Sequence, residues 1–160
     1  MAISKFKKIV LSLSLCFSLL ILESLIKYYL LNKVPKEGFY FFSKFAQIIY
    51  TPNQNIAFSL PLPQILTIII VIVILAVLSY LWWLSLLKSN LWKLTAISLI
   101  ILGALSNLID RLLFGYVIDY IKIWIWPVFN LADAMIVAGV FIYILSEFKK
   151  PRPTILASTL

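Results

Sequence analysis

The chain has no histidine, a single cysteine and only six acidic residues among its 160 positions. Each shortage excludes something. Without histidine, the commonest metal ligand and the usual base of a nucleophile triad are missing. One cysteine, Cys16, rules out an intrachain disulfide. Charged residues make up 12% and hydrophobic ones 63%, against an apolar share of roughly 45 to 50% in soluble domains. Such a chain belongs in a membrane. Its formal charge of +8 does not point to nucleic acid, because the basic residues flank apolar runs and form no stripe with aromatics.

Four long apolar runs are present, at about 9–31, 65–87, 94–114 and 128–148, each near the length that crosses a bilayer as a helix. They predict one integral membrane domain over 1–160, with connections at 32–64 and 115–127 and a mobile tail at 149–160. Lys5, Lys7, Lys8, Lys88, Lys93, Lys149, Lys150 and Arg152 fall on one side, and Lys33, Lys36, Lys44 and Lys122 on the other. The positive-inside rule therefore places both termini in the cytoplasm. Trp82, Trp83, Trp92, Trp124 and Trp126 sit near span ends, as an interfacial belt should. The basic start and apolar run of MAISKFKKIVLSLSLCFSLLIL also look like a secretory signal, with a lipid-attachment hint at Leu13–Cys16. The run is too long and lacks a small-residue cleavage site, so a retained helix with Cys16 as a small buried hydrophobe is expected.

Charge reappears where it is least welcome. All three aspartates, Asp110, Asp119 and Asp133, lie between positions 110 and 133. Running the third span outward brings Asn107, Asp110 and Arg111 to its outer end, with Asp119 just beyond. The fourth span starts on that side with Asn130 and Asp133, so a short loop can bring the two carboxylates together. Glu23 and Lys27, at i and i+4, lie near the outer end of the first span, and Asn53 lies in the outer connection. An ionisable residue near mid-bilayer costs on the order of 2.5 to 3.5 kcal/mol, and such residues usually mark a working site.

Structural readings stand beside the functional ones. Asp110 and Arg111 suit an ion pair or cap at the end of the third span, and Asn107 suits a hydrogen bond along its own helix. Glu23 and Lys27 form the favoured order of a helical ion pair. Asp119 and Asp133 have no local partner of that kind. Two carboxylates close together in a low-dielectric pocket share a proton, one serving as base while the other serves as acid. Such a pair can activate water against an amide without metal, cofactor or covalent nucleophile.

GALSNLIDRLLFGYVIDYI, Gly103 to Ile121, and PVFNLADAMIVAG, Pro127 to Gly139, closely resemble the two signature blocks of lipoprotein signal peptidase, or signal peptidase II. ESLIK, Glu23 to Lys27, and NQNIAFS, Asn53 to Ser59, agree more loosely. The resemblance implies an all-α membrane protein of four transmembrane helices with a small extracytoplasmic substructure. It also implies an aspartyl endopeptidase of the bacterial cytoplasmic membrane that removes signal peptides from prolipoproteins, cutting just before a diacylglyceryl-modified cysteine. Its partners would be those precursors and membrane lipids, with no nucleic acid, and it would act as a monomer. By position, Asp119 and Asp133 would be the dyad. Asn107, Asp110, Arg111, Asn130 and Ala132 would form the supporting shell, Ala132 being small enough for substrate to approach, with Asn53 and Lys27 at the outer edge.

Two positions depart from the family pattern. Glu23 stands where aspartate is common, and Asn55 where glycine is common, a mild change because asparagine tolerates the left-handed backbone that glycine adopts readily. The aromatic stretch FYFFSKFAQIIY fits either an amphipathic surface helix or short strands. Two other functions use buried acids: a proton-coupled carrier or ion path, which lacks here the internal repeats and broken helices of carriers, and a noncatalytic scaffold.

Overall fold

The computed structural model describes residues 2–33, 38–41, 45–55 and 62–148. The tail at 149–160, the lysines at 36 and 44 and positions 56–59 of the NQNIAFS block lie outside the described residues. In chain order the elements are α1 (Ala2–Lys33), β1 (Phe39–Phe41), β2 (Ala46–Asn53), α2 (Gln64–Leu87), α3 (Leu91–Phe114), β3 (Val117–Ile123) and α4 (Leu131–Phe148). Among the described residues four helical segments are long and apolar enough to cross a bilayer: Phe6–Asn32, Gln64–Leu87, Leu91–Phe114 and Leu131–Phe148. The 24-residue helices reach roughly 36 Å, enough for a hydrocarbon core of about 30 Å.

Helix α3 is the hub. Of its span 44% is buried, against 6% for α2, 11% for α1 and 22% for α4. Small residues explain why. A Cβ on Gly103 would stand 2.5 Å from the carbonyl oxygen of Ala132, and one on Gly139 would stand 2.6 Å from that of Ala96. Two glycines on opposite helices thus let the α3 and α4 backbones touch, the small-residue packing that replaces hydrophobic driving force in lipid. Cys16, Leu99 and Met135 close the core between α1, α3 and α4, with Cys16 buried as expected.

Helix α3 begins at Asn90, whose side chain accepts from the Lys93 N–H at 3.2 Å. It ends at Gly115, whose left-handed φ of 81° returns its N–H to the Arg111 carbonyl. That sharp stop aims the chain into β3. Where the sequence suggests a plain loop between Asp119 and Asp133, the structure has this strand. Its branched and aromatic residues (VIDYIKI) pair antiparallel with β2, Thr51 opposite Asp119 and Asn53 opposite Val117. Strand β1 adds to the far side of β2, giving the order β1-β2-β3. The described part of the aromatic stretch is therefore strand, and no surface helix occurs there among the described residues.

Trp83, Trp92, Trp124 and Trp126 are exposed near element ends, whereas Trp82 turns inward and donates to Ser98 Oγ at 2.9 Å. At the helix ends remote from the sheet, Lys93 on α3 forms an ion pair with Glu147 on α4.

Candidate active site

Strand alternation gives β3 two working faces. Val117 and Asp119 line a cavity of about 410 Å³, whereas Tyr120 borders a separate apolar hollow against Leu25, Ile26 and Phe39. The cavity is completed by Asn53, Asn55, Asn107, Arg111 and Asp133 on its polar side, and by Thr67, Val71, Ala104, Ile136 and Val137 toward the helices. A larger apolar hollow of about 520 Å³ between α1, α2 and α3 has no carboxylate in its lining.

Asp133 owes its placement to the start of α4. Asn130 Oδ1 accepts from the Asp133 N–H at 2.8 Å, and Asp133 Oδ2 accepts from the Asn130 N–H at 3.3 Å. This is a reciprocal capping box, which satisfies helix-end donors and fixes the carboxylate at the third position of the helix. Asn107 Nδ2, on α3, donates to Asp133 Oδ1 at 2.8 Å. Asn107 therefore bonds across helices and not along its own.

Asp119 is held by amides from two sides. Asn53 Nδ2 donates to Oδ2 at 2.8 Å, and Asn130 Nδ2 donates to Oδ1 at 2.9 Å. Asn130 Nδ2 also reaches Asn107 Oδ1 at 3.0 Å and the Ile118 carbonyl at 3.3 Å, so this fully buried amide links the surroundings of both aspartates. Burial, with the charge of Asp133, raises the Asp119 pKa to about 7, although Asn53, Lys27 and Asn130 pull the other way.

Behind β3 lies a second cluster. Lys27 Nζ stands 2.9 Å from Glu23 Oε1 and 2.8 Å from Asp110 Oδ2, and donates to Ser106 Oγ at 3.1 Å. The Glu23 contact is ionic and not aligned as a hydrogen bond, since Oε1 accepts none. Glu23 Oε2 instead accepts from the Tyr120 hydroxyl. Asp110 pairs with Lys27 and not with Arg111, and its Oδ2 accepts the Ile118 N–H at 3.0 Å, pinning the residue before Asp119.

Arg111 donates to two backbone carbonyls, Asn107 at 3.3 Å and Asn55 at 3.1 Å, tying α3 to the segment after β2. Its fork carries five N–H donors, so others remain for a bound ligand. Asn55 does not adopt the left-handed backbone that asparagine would tolerate, since among the described residues the non-glycine positions with positive φ are Ser89 and Trp124. It is held by its N–H donating to Asn53 Oδ1 at 3.0 Å, and is useful through its carbonyl.

The structure thus gathers Asp119, Asp133, Asn53, Asn107, Asn130 and Arg111 at one site, and sets Glu23, Lys27 and Asp110 behind the strand. Ala132 is fully buried, with its carbonyl oxygen facing Gly103 on α3, and it does not border the cavity. Two participants escape sequence reasoning, Ser106 and Tyr120. A hydroxyl beside charged motif residues is the only signal either offers.

The family model of signal peptidase (SPase) II matches residues 15–149. The chain belongs to the signal peptidase II family. It is similar to a lipoprotein signal peptidase of Thermodesulfovibrio yellowstonii, 32% identical over 140 residues, covering 84% of this chain and 92% of that one. A lipoprotein signal peptidase of Brucella ovis is 39% identical over 110 residues, covering 65% of this chain and 68% of the relative. A bacterial membrane enzyme solved by the in meso method at 2.3 Å superposes with a TM-score of 0.76 at 31% identity, covering 88% of this chain and 92% of that one. This member of the family is accordingly a multi-pass membrane peptidase.

Its helix packing has a testable consequence. Gly103→Ala places a methyl group against the Ala132 carbonyl, one residue before Asp133, and Gly139→Ala does the same two turns farther along α4. Each should destabilise the fold by about 1–3 kcal/mol through overpacking. Thermal unfolding in detergent should show similar losses, while peptidase activity of the folded fraction falls several-fold further in Gly103→Ala. Equal activities would separate the glycine contact from the site.

Proposed function

We propose that this protein is an aspartyl endopeptidase that removes the signal peptide from diacylglyceryl-modified prolipoproteins, cutting just before the lipidated cysteine. Asp119 and Asp133 would be its acid and base. The observation that carries this reading is two carboxylates bordering one largely apolar cavity and linked through the Asn130 and Asn107 amides.

The pair shares one proton near neutral pH, because burial makes a second negative charge at Asp119 unfavourable. The ionised partner takes a proton from water as its oxygen attacks the scissile carbonyl. The protonated partner gives its proton to the carbonyl oxygen. As the tetrahedral species collapses and the C–N bond breaks, one of its hydroxyls returns a proton to the carboxylate that had acted as acid, and the carboxylic acid formed from the base protonates the leaving amine, which regenerates the pair. Arg111 and the cavity asparagines supply donors for backbone carbonyls of an extended substrate.

The aspartates stand at the end of the bundle remote from Lys7, Lys8, Lys88 and Lys93, so the positive-inside rule supports cytoplasmic termini and a site at the outer face of the bacterial cytoplasmic membrane. The deciding assay uses purified protein with a diacylglyceryl-modified precursor beside its unmodified twin. The lipidated precursor is cut before its cysteine, the twin is not, and a chelator leaves the rate unchanged. Equal cleavage of both would refute the substrate assignment.

A further inference from the structure

Backbone hydrogen bonds fasten β3 to the chain just before α4. Tyr120 N–H and Ile121 N–H both donate to the Phe129 carbonyl, at 3.0 and 2.7 Å, and the Ile121 carbonyl accepts from the Phe129 N–H at 3.0 Å. These bonds stop at residue 129. Beyond it the Asn130–Asp133 capping box shapes the first turn of α4, and the Asn130 amide ties that turn to Asp119 and the Ile118 carbonyl on β3, but none of these bonds reaches α1.

The Tyr120 hydroxyl adds a second tie from β3 to this turn and extends it to α1. It accepts the N–H of Leu131, the first residue of α4, at 3.2 Å, while donating to Glu23 Oε2 on α1. A phenol is both donor and acceptor, and this one uses both capacities. Glu23 is in turn held by Lys27, itself anchored to Asp110. A rigid relay thus runs from α1 through one oxygen to a backbone group two residues before Asp133, starting from the neighbour of Asp119. Glu23 and Tyr120 are 0% and 2% exposed, and neither borders the cavity that holds the aspartates.

We propose that Tyr120 is a positioning residue: through its hydroxyl, Glu23 on the first helix sets the seat of the first turn of α4, and with it the approach of Asp133 to Asp119. This rests on the reading of those two aspartates as the working pair. The longer side chain of Glu23 has a purpose in this arrangement, since aspartate would draw the carboxylate back by a methylene from the phenol. Because the relay touches no substrate, its loss shows in turnover and not in binding.

The experiment compares Tyr120→Phe, Glu23→Asp and the double variant on a lipidated precursor. Phenylalanine keeps the ring and removes only the oxygen, so a packing role alone leaves Tyr120→Phe at the wild-type rate. The relay predicts that each single variant lowers kcat by roughly tenfold with KM within about twofold. The double variant should be no worse than the poorer single one, since both break the same link. The alkaline limb of the pH–rate profile should move in all three, as the spacing of the aspartates changes. Hydrogen exchange at the Leu131 amide should quicken in each, and this readout holds even if the cleavage reaction proves to be another one. Wild-type kcat in Tyr120→Phe, multiplied losses in the double variant, or unchanged Leu131 exchange would overturn the relay. Failure of the wild-type protein to cut the precursor would sink the catalytic reading instead.

Discussion

Asp119→Asn should leave a folded, membrane-inserted protein that no longer cuts a lipidated precursor, with kcat reduced by roughly 10³-fold or more. Asparagine preserves the size of the side chain but can neither give up nor accept the shared proton. The surroundings also react. Both Asp119 oxygens accept amide protons, one from Asn53 and one from Asn130, and an asparagine offers only one acceptor to those two donors. One contact becomes donor against donor, which costs about 1–3 kcal/mol in stability. Activity must therefore be expressed per folded molecule, and a scaffold role predicts that only the stability term survives that correction. Asp133→Asn should be equally inactive. Normal turnover by either variant ends the dyad assignment.

The same pair fixes the direction of the pH dependence. The Asp119 pKa is raised to about 7, mainly by burial and further by Asp133, so the pair holds its shared proton below that pH and loses it above. For the free enzyme, kcat/KM should accordingly fall as pH climbs through about 7, approaching tenfold per pH unit. A limb in the ordinary carboxylate range would show that the two acids act separately.

The helices were legible because apolar runs of membrane length have few alternatives in so greasy a chain. Convergence of Asp119 and Asp133 was legible from connectivity alone, since one follows the end of α3 and the other opens α4. The detailed pairing was not. Asn107 reads as a partner for its own helix, yet its amide crosses to Asp133, because α3 and α4 approach more closely than any local pattern reveals. Strand β3 is seven residues long and adjoins a span, so its alternation is hidden among apolar neighbours. Tyr120 and Glu23 are 97 positions apart, and nothing in either segment announces the other.

Lys27→Met should be the most destabilising single change. The lysine is 5% exposed and compensates two carboxylates, Glu23 at 2.9 Å and Asp110 at 2.8 Å. Removing the cation from a buried cluster leaves charges with nothing to offset their desolvation, a loss of about 3–5 kcal/mol. Methionine fills similar volume, so the effect would be one of charge and not of a cavity. Adding Glu23→Gln to Lys27→Met should recover part of the loss, because the amide oxygen still accepts from Tyr120 while one uncompensated charge disappears. Thermal unfolding in detergent gives the comparison, and a double variant no more stable than Lys27→Met would contradict the charge account. Activity of the surviving folded fraction carries separate information. Lys27 is among the groups that hold the Asp119 pKa down, so its removal should move the alkaline limb of kcat/KM to higher pH. An unmoved limb would mean that the cluster behind β3 supports the strand mechanically without reaching the aspartates through its field.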